Sequence, residues 1–538
     1  MSHPTGRKPL LLLLMLGLSL TLVLAPGESR AQDYDPADTL VFSHSDNAGP
    51  MNPHMYAPNQ MYAQNIIYDA LVVMGPDGKV RPSLAESWEL SGDGLTYTFH
   101  LREGLKFSDG TPLDARAVEE NFRQIMGNRE RHKWLGLTGY VESFAATGPL
   151  EFKLVISSPY YPTLEDLSLA RPFRMLSPAA FPDEGVTAGG IKAPIGSGPF
   201  RFVETVLGEY DLFERNELYW GEKPDYSKLL VKIIVDPVSR GIAFETGEID
   251  LIYGLGQVSY EVYDRFSRVP GITTKTSGPM GTYAVGMHSG RFPTSEFAVR
   301  QAIEYMIDRD AVARGVSMGS LKPAGHYISP SMPYCDAGLP PYAYDPARAV
   351  AILEDAGWRL PLGKNVREKD GKPLSIDYYI ISNKADQRAA AEIIQGQAMR
   401  CGVNINIIGE ENDASISRRR TGDYGMISAP TYGPPYEPHS FLSIMRFHDF
   451  HDYQSQAALP EKAELDQAIT DALASTDEAR RREYYKRALT ILHDEFVYVP
   501  LYYNALMAVY RTDQFAGPLE FGSDQYIVPF ETFKLRKR

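Results

Sequence analysis

Residues 432–453, YGPPYEPHSFLSIMRFHDFHDY, carry three of the chain's eleven histidines, together with Met445 and six aromatic residues. Imidazole suits nickel, zinc and copper, and thioether sulfur is a softer ligand. His448 and His451, three apart, share one face if the segment is helical; His-Asp-Phe-His reads equally well as a loop. His439 follows Pro438, which points to a turn. Further candidates are His54, Met55 and Met61 near the start of the chain, and His132. Each also has a plainer reading, as a satisfied core or surface histidine or a gap-filling methionine. That plainer reading is taken for His44, His100, His288, His326 and His493.

Two arginines offer a different chemistry. Arg131, in RHKW with Trp134, and Arg171, in RPFR, sit beside aromatic or apolar residues. A guanidinium forks onto a carboxylate through two parallel hydrogen bonds. A bare divalent cation is repelled by both arginines, whereas a carboxylated organic ligand is attracted. Motifs of catalysis are absent: there is no HExxH, CxxC, P-loop or Gly-x-Ser-x-Gly, and GSGPF lacks the spacing of a dinucleotide loop. With 68 acidic residues, no carboxylate pair stands out as a hydrolytic site.

The elements that would hold these residues are legible in outline. Arg7 and Lys8, the apolar run Leu10–Ala25 and small residues at Ser29 and Ala31 make residues 1–31 a cleavable export signal, cut at Ala31/Gln32. Its apolar run is shorter than a membrane span requires. The chain beyond Ala31 is long enough for at least two domains. With only Cys335 and Cys401, core burial rather than a disulfide framework holds it together. A formal net charge of −14 argues against nucleic-acid partners.

Strand patterns recur at TLVFSHS, LTYTFHL, LKF, GSGPFRFVETV, YDLFERNELYW and SKLLVKIIV. Asp114 caps a predicted helix over ARAVEENFRQIM. From about residue 280, helices alternate with strands: TSEFAVRQAIEYMID, with Thr294 or Ser295 as cap, YDPARAVAILEDAGW, KPLSIDYYII, DQRAAAEIIQGQAMRCG and VNINIIGE. That order argues for an α/β domain with a partly parallel sheet. The aromatic tail DEFVYVPLYYNALMAVYR is strand-like and fits either domain.

LAESWELSGDGLTYTFHLREGLKFSDGTPLDARAV (84–118), GSGPFRF, RNELYWGEKP and FETGEIDLIYG together resemble the extracytoplasmic solute-binding proteins of ABC importers, in the class that carries peptides and nickel. NAGPMNPHMYAPNQMYAQ, NRERHKWL, YYPTLEDLSLARPFR and YGPPYEPHSFLSIMR are similar to its nickel-carrying branch. The resemblance implies an α/β, two-lobed clamshell with an extra subdomain in lobe I. Lobe I would be 32–279, with the inserted subdomain at about 77–209, lobe II 280–504, and 505–538 a return to lobe I. It implies a periplasmic monomer that holds nickel(II) as a transported ligand, wrapped in a small chelator such as histidine, and delivers it to a membrane permease. No prosthetic cofactor is implied. The family's ligand-binding residues carry over as Tyr56, Met61, Arg131, Trp134, Arg171, Tyr432 and Tyr436, with Tyr432 standing where the family has tryptophan. The family's metal-binding histidine aligns with Phe450, flanked by His448 and His451. A di- or oligopeptide ligand, with Glu437 receiving an amino terminus, is the alternative; another chelated metal or haem is a third.

Overall fold

The computed structural model describes residues 34–55, 61–75 and 77–536. The export signal and Tyr56 lie outside the described residues. Two mixed sheets organise the chain. The seven-stranded sheet runs Ile272–Thr276, Met507–Arg511, Leu251–Gly254, Thr39–His44, Lys228–Ile233, Tyr210–Arg215 and Phe200–Val206. Thr39–His44 is parallel to both of its neighbours, and the other pairings are antiparallel. The five-stranded sheet runs Asn404–Glu410, Ser375–Ile381, Met426–Ser428, Thr282–Met287 and Tyr498–Tyr503. Its first three strands are parallel, as expected where helix Ala385–Arg400 makes the crossover.

A smaller antiparallel sheet, Ala85–Leu90, Thr96–Leu101, Glu151–Ile156 and Val141–Ala146, is inserted between strands of the seven-stranded sheet. Its strands alternate in burial, with Tyr97, Phe99 and Leu101 turned inward. Helix Ala115–Met126 covers it, started by the Asp114 carboxylate, which accepts from the Ala117 N–H at 3.0 Å. The hairpin strand Phe200–Val206 pairs with Tyr210–Arg215 in the seven-stranded sheet.

The tail serves both sheets. Tyr498–Tyr503 pairs with Thr282–Met287, and after Asn504–Leu506 the strand Met507–Arg511 lies between Leu251–Gly254 and Ile272–Thr276. Local expectations fail in two places. Thr294 spends its hydroxyl on the carbonyls of His288 and Arg291, and helix Phe297–Met306 starts after Glu296 with no side-chain cap. Residues 105–107 make only a single bridge, Lys106 to Pro112.

Close packing fixes the segments that lead to the site. Buried Asp211 accepts from Asn47, the Ala48 N–H, Tyr62 and Thr205, tying Asn47, Ala48 and Tyr62 to the sheet. In GSGPF, a side chain at Gly196 would stand 2.0 Å from the Ile67 carbonyl oxygen, and one at Gly198 2.5 Å from that of Ile66. These two glycines let the backbone lie against helix Met61–Ile67.

Candidate functional site

The segment 431–438 follows the strand Met426–Ser428 and packs against the inserted subdomain. Tyr432 and Tyr436 meet edge to face, with ring centroids 6.4 Å apart. Trp134 approaches from the inserted subdomain, 6.5 Å from the Tyr436 ring. The Arg171 guanidinium lies over the Trp134 indole at 4.6 Å, within the range of a favourable cation–π contact. Arg171 also faces both tyrosines, lowering hydroxyl pKa values that burial raises.

The floor comes from a segment the sequence did not single out. Gln525 donates to the Tyr432 carbonyl at 2.7 Å, bridging the tail and the wall. Asp524 is buried, accepts from the Tyr526 N–H at 2.8 Å and faces Arg171, Arg174 and Tyr436. Burial pushes its carboxyl up to about 6. Its Oδ2 and the Tyr436 hydroxyl make no hydrogen bond among the described residues. Arg174 is spent on structure: it donates to the carbonyls of Leu169 and Tyr68 and to Asn65.

Of the expected ligand-binding residues, Trp134, Arg171, Tyr432 and Tyr436 converge. Arg131 is exposed on the turn Arg129–His132; together with burial and Arg171 it keeps His132 neutral, with a pKa near 4. Met61 opens helix Met61–Ile67 and is fully buried. His54 is a core histidine, with Thr187 Oγ1 at 2.8 Å from one ring nitrogen and the Arg174 carbonyl at 3.2 Å from the other.

The two candidate metal ligands diverge. His448 is exposed and packs on Tyr453, ring centroids 3.9 Å apart. His451 is buried at the start of helix His451–Gln456, with Nδ1 3.3 Å from Arg419 and Nε2 3.4 Å from Asp452. Burial and Arg419 hold its pKa near 4. Tyr432 has the same two charged neighbours, Asp452 and Arg419, so His451 belongs to the wall's surroundings. Among the described residues no group of three or more His, Cys, Asp or Glu is arranged to hold a metal ion. Cys335 and Cys401 are both buried and free. Glu437 does not face the cleft as an open acid: it is buried and accepts from the Gly433 N–H at 2.6 Å, with its pKa raised by burial to about 7.

A second set of contacts joins the inserted subdomain to residues 439–485. The Tyr161 N–H donates to the Leu473 carbonyl at 3.1 Å, and the Tyr161 and Tyr485 hydroxyls lie 2.7 Å apart. The Arg481 guanidinium covers the Tyr161 ring at 3.9 Å. Asp166 accepts from the Leu137 N–H and the Tyr160 hydroxyl through Oδ2, and its Oδ1 is 3.2 Å from His439 Nε2. His439 thus lies against the inserted subdomain.

A family model described as "Bacterial extracellular solute-binding proteins, family 5 Middle" matches residues 79–450. The chain belongs to this family of solute-binding proteins. Among family 5 relatives, it is 43% identical over 498 residues to the nickel-binding periplasmic protein of Escherichia coli K12, covering 92% of this chain and 94% of that one. It is 26% identical over 518 residues to the dipeptide-binding protein of the same organism, covering 90% and 91%. The crystal structure of NikA from Brucella suis in complex with Fe(III)-EDTA superposes with a TM-score of 0.91 at 44% identity, covering 93% of this chain and all of that one. The fold is therefore that of a two-lobed family 5 solute-binding protein. No helix among the described residues is long and apolar enough to cross a membrane.

Proposed function

We propose that this protein is the periplasmic, substrate-capturing component of an ABC importer and that its cargo is nickel(II) in complex with a small carboxylated chelator. The observation that carries this reading is Arg171, stacked on Trp134 and facing Tyr432 and Tyr436 across the cleft. A guanidinium held flat by an indole offers its edge to a carboxylate, and the tyrosine faces pack the chelator's carbon skeleton. The likeness to a nickel-binding periplasmic protein over nearly the whole chain favours nickel as the metal. The buried, internally bonded Glu437 disfavours the peptide alternative, which needs an exposed acid for the amino terminus.

On this reading lobe I comprises 32–279 and 505–538, lobe II 280–504, and the chain crosses between them at 277–281 and 504–506. The export signal is cleaved at Ala31/Gln32, the mature protein acts as a monomer, and the closed form docks on the permease. No catalytic group is required. We assign the metal-reaching role to His451 rather than His448, since His451 shares Arg419 and Asp452 with Tyr432. Its imidazole must give up the Arg419 or the Asp452 contact to reach an ion.

Isothermal titration with nickel alone, nickel plus L-histidine, and di- and tripeptides tests the proposal. Tight binding is expected only for nickel plus histidine; equal or tighter binding of peptides overturns it. Native mass spectrometry of protein drawn from the periplasm weighs the bound chelate directly.

A further inference from the structure

The wall segment is knitted to the place where the chain crosses between halves. The Thr431 N–H donates to the Thr282 carbonyl, and the Thr282 N–H to Thr431 Oγ1, both at 2.9 Å. A side chain at Gly433 (φ +69°) would stand 2.5 Å from the Met280 carbonyl oxygen and 2.9 Å from the Gly281 nitrogen. One at Gly281 (φ +116°) would stand 3.2 Å from the Thr431 carbonyl oxygen. The crossing strand is in turn paired with the returning one: Met280 N–H to the Asn504 carbonyl at 2.7 Å, and Asn504 N–H to the Gly281 carbonyl at 2.9 Å. Backbone thus lies on backbone with no side chain between them, and only glycine fits at the contact.

Glu437 closes this arrangement from the far end of the wall. Four residues on from Gly433, it folds its side chain back so that Oε1 accepts the Gly433 N–H. The Thr431 hydroxyl and the Tyr432 backbone also stabilise its carboxylate. The ring formed by 433–437 holds Tyr432 on one side and Tyr436 on the other.

We propose that Glu437 is a positioning residue for ligand capture, clasping the aromatic wall onto the crossing at 280–282 so that Tyr432 and Tyr436 turn with the lobes as they close. The inference rests on the chelate-pocket reading above and deepens it. Glu437 touches no ligand; it acts through Gly433. Without the clasp the wall lags behind the crossing, and closure no longer brings both tyrosines onto the ligand together.

The decisive property is the acceptor at the end of the side chain, so the test compares two replacements. Glu437→Gln keeps a carbonyl oxygen where Oε1 stands; Glu437→Leu keeps the bulk and removes the acceptor. Stopped-flow fluorescence with nickel plus L-histidine should show release from the Leu variant faster by about tenfold, the worth of one hydrogen bond to a charged group. The Gln variant should recover most of that loss. Wild-type release from the Leu variant, or a Gln variant as poor as Leu, overturns the proposal. Should Glu437→Leu fail to fold, Thr431→Val, which removes the acceptor for Thr282, is read the same way against wild type. Hydrogen exchange of the ligand-free protein separates the two readings. Faster exchange at 431–436 in the Leu variant, restored in Gln, supports the clasp even if wild type ignores nickel plus histidine. Unchanged exchange there overturns the clasp even if the chelate binds.

Discussion

Two buried aspartates sit at the closed cleft, and they are equipped differently. Asp166 accepts a backbone N–H and a tyrosine hydroxyl on Oδ2, and its Oδ1, which makes no hydrogen bond among the described residues, lies 3.2 Å from the His439 imidazole. Asp524 has one backbone N–H and an oxygen that bonds to nothing among the described residues. Each donor to a buried carboxylate offsets part of its desolvation, so Asp166, with two donors and an imidazole beside it, is better held than Asp524 with one. On the proposed reading, the difference separates a contact that holds the lobes together from a surface kept ready for a ligand. Trp134, Arg171 and Tyr436 belong with Asp524; Tyr161, Tyr485 and Arg481 belong with Asp166.

The sharpest way to break this division is at Arg171. Arg171→Ala should weaken binding of nickel plus histidine by about 100-fold, the worth of a charge-assisted pair with a carboxylate, with little change in melting temperature. Calorimetric titration beside a thermal melt reads both. A protein that melts early and binds normally would move Arg171 to the structural side.

Next in size is the contrast between the aspartates themselves. The Asp524 carboxyl is raised from an ordinary 3.8 to about 6, so its ionisation costs stability above pH 6. The cost fades as pH falls through 6 and is gone below about 4, where the unfolded chain is protonated too. Asp524→Asn should therefore stabilise the protein at pH 7.5 by something on the order of 2 kcal/mol, and by nearly nothing at pH 4. Asp166→Asn should instead destabilise at pH 7.5, since it deprives the Leu137 N–H, the Tyr160 hydroxyl or His439 of an acceptor. Urea denaturation at the two pH values measures both signs; the same sign for both variants would erase the distinction.

Smaller again is Tyr161→Phe, which deletes the hydroxyl pair with Tyr485 and keeps the ring under Arg481. The closed form should lose about 1 kcal/mol, seen as a larger mean radius of gyration in X-ray scattering of the ligand-free protein. The least effect is expected at His448: as an exposed residue its replacement by alanine should leave stability within about 0.5 kcal/mol and chelate affinity unchanged, while His451→Ala lowers affinity.

That Trp134, Arg171, Tyr432 and Tyr436 meet was legible because they come from short patterned segments. Trp134, Arg171, Tyr432 and Tyr436 each stand in a motif shared with the family, and the arginine chemistry pointed to a carboxylate unaided. Asp524, Gln525 and Tyr526 were not legible: FGSDQYIVPF has no periodicity, and its place at the cleft depends on the tail re-entering the first sheet. The same holds for His439, whose partner Asp166 lies in the inserted subdomain, far away in sequence. Charge alone made Glu437 look like a ligand-facing acid, whereas the wall's own N–H groups had claimed it. Strands were read well where side chains alternate, and missed at 105–107, where the turn allows only one bridge.

The tail's double service has a consequence for how the molecule comes into being. Met507–Arg511 is an interior strand of the seven-stranded sheet, and Tyr498–Tyr503 an edge of the other. During synthesis neither sheet can be completed until residues 498–511 have left the ribosome. Pairing the mid-chain strands Leu251–Gly254, Ile272–Thr276 and Thr282–Met287 with the last two is slow, because long loops must close before those contacts are gained. Until residues 498–511 emerge the chain remains threadable, and the two sheets are completed only afterwards.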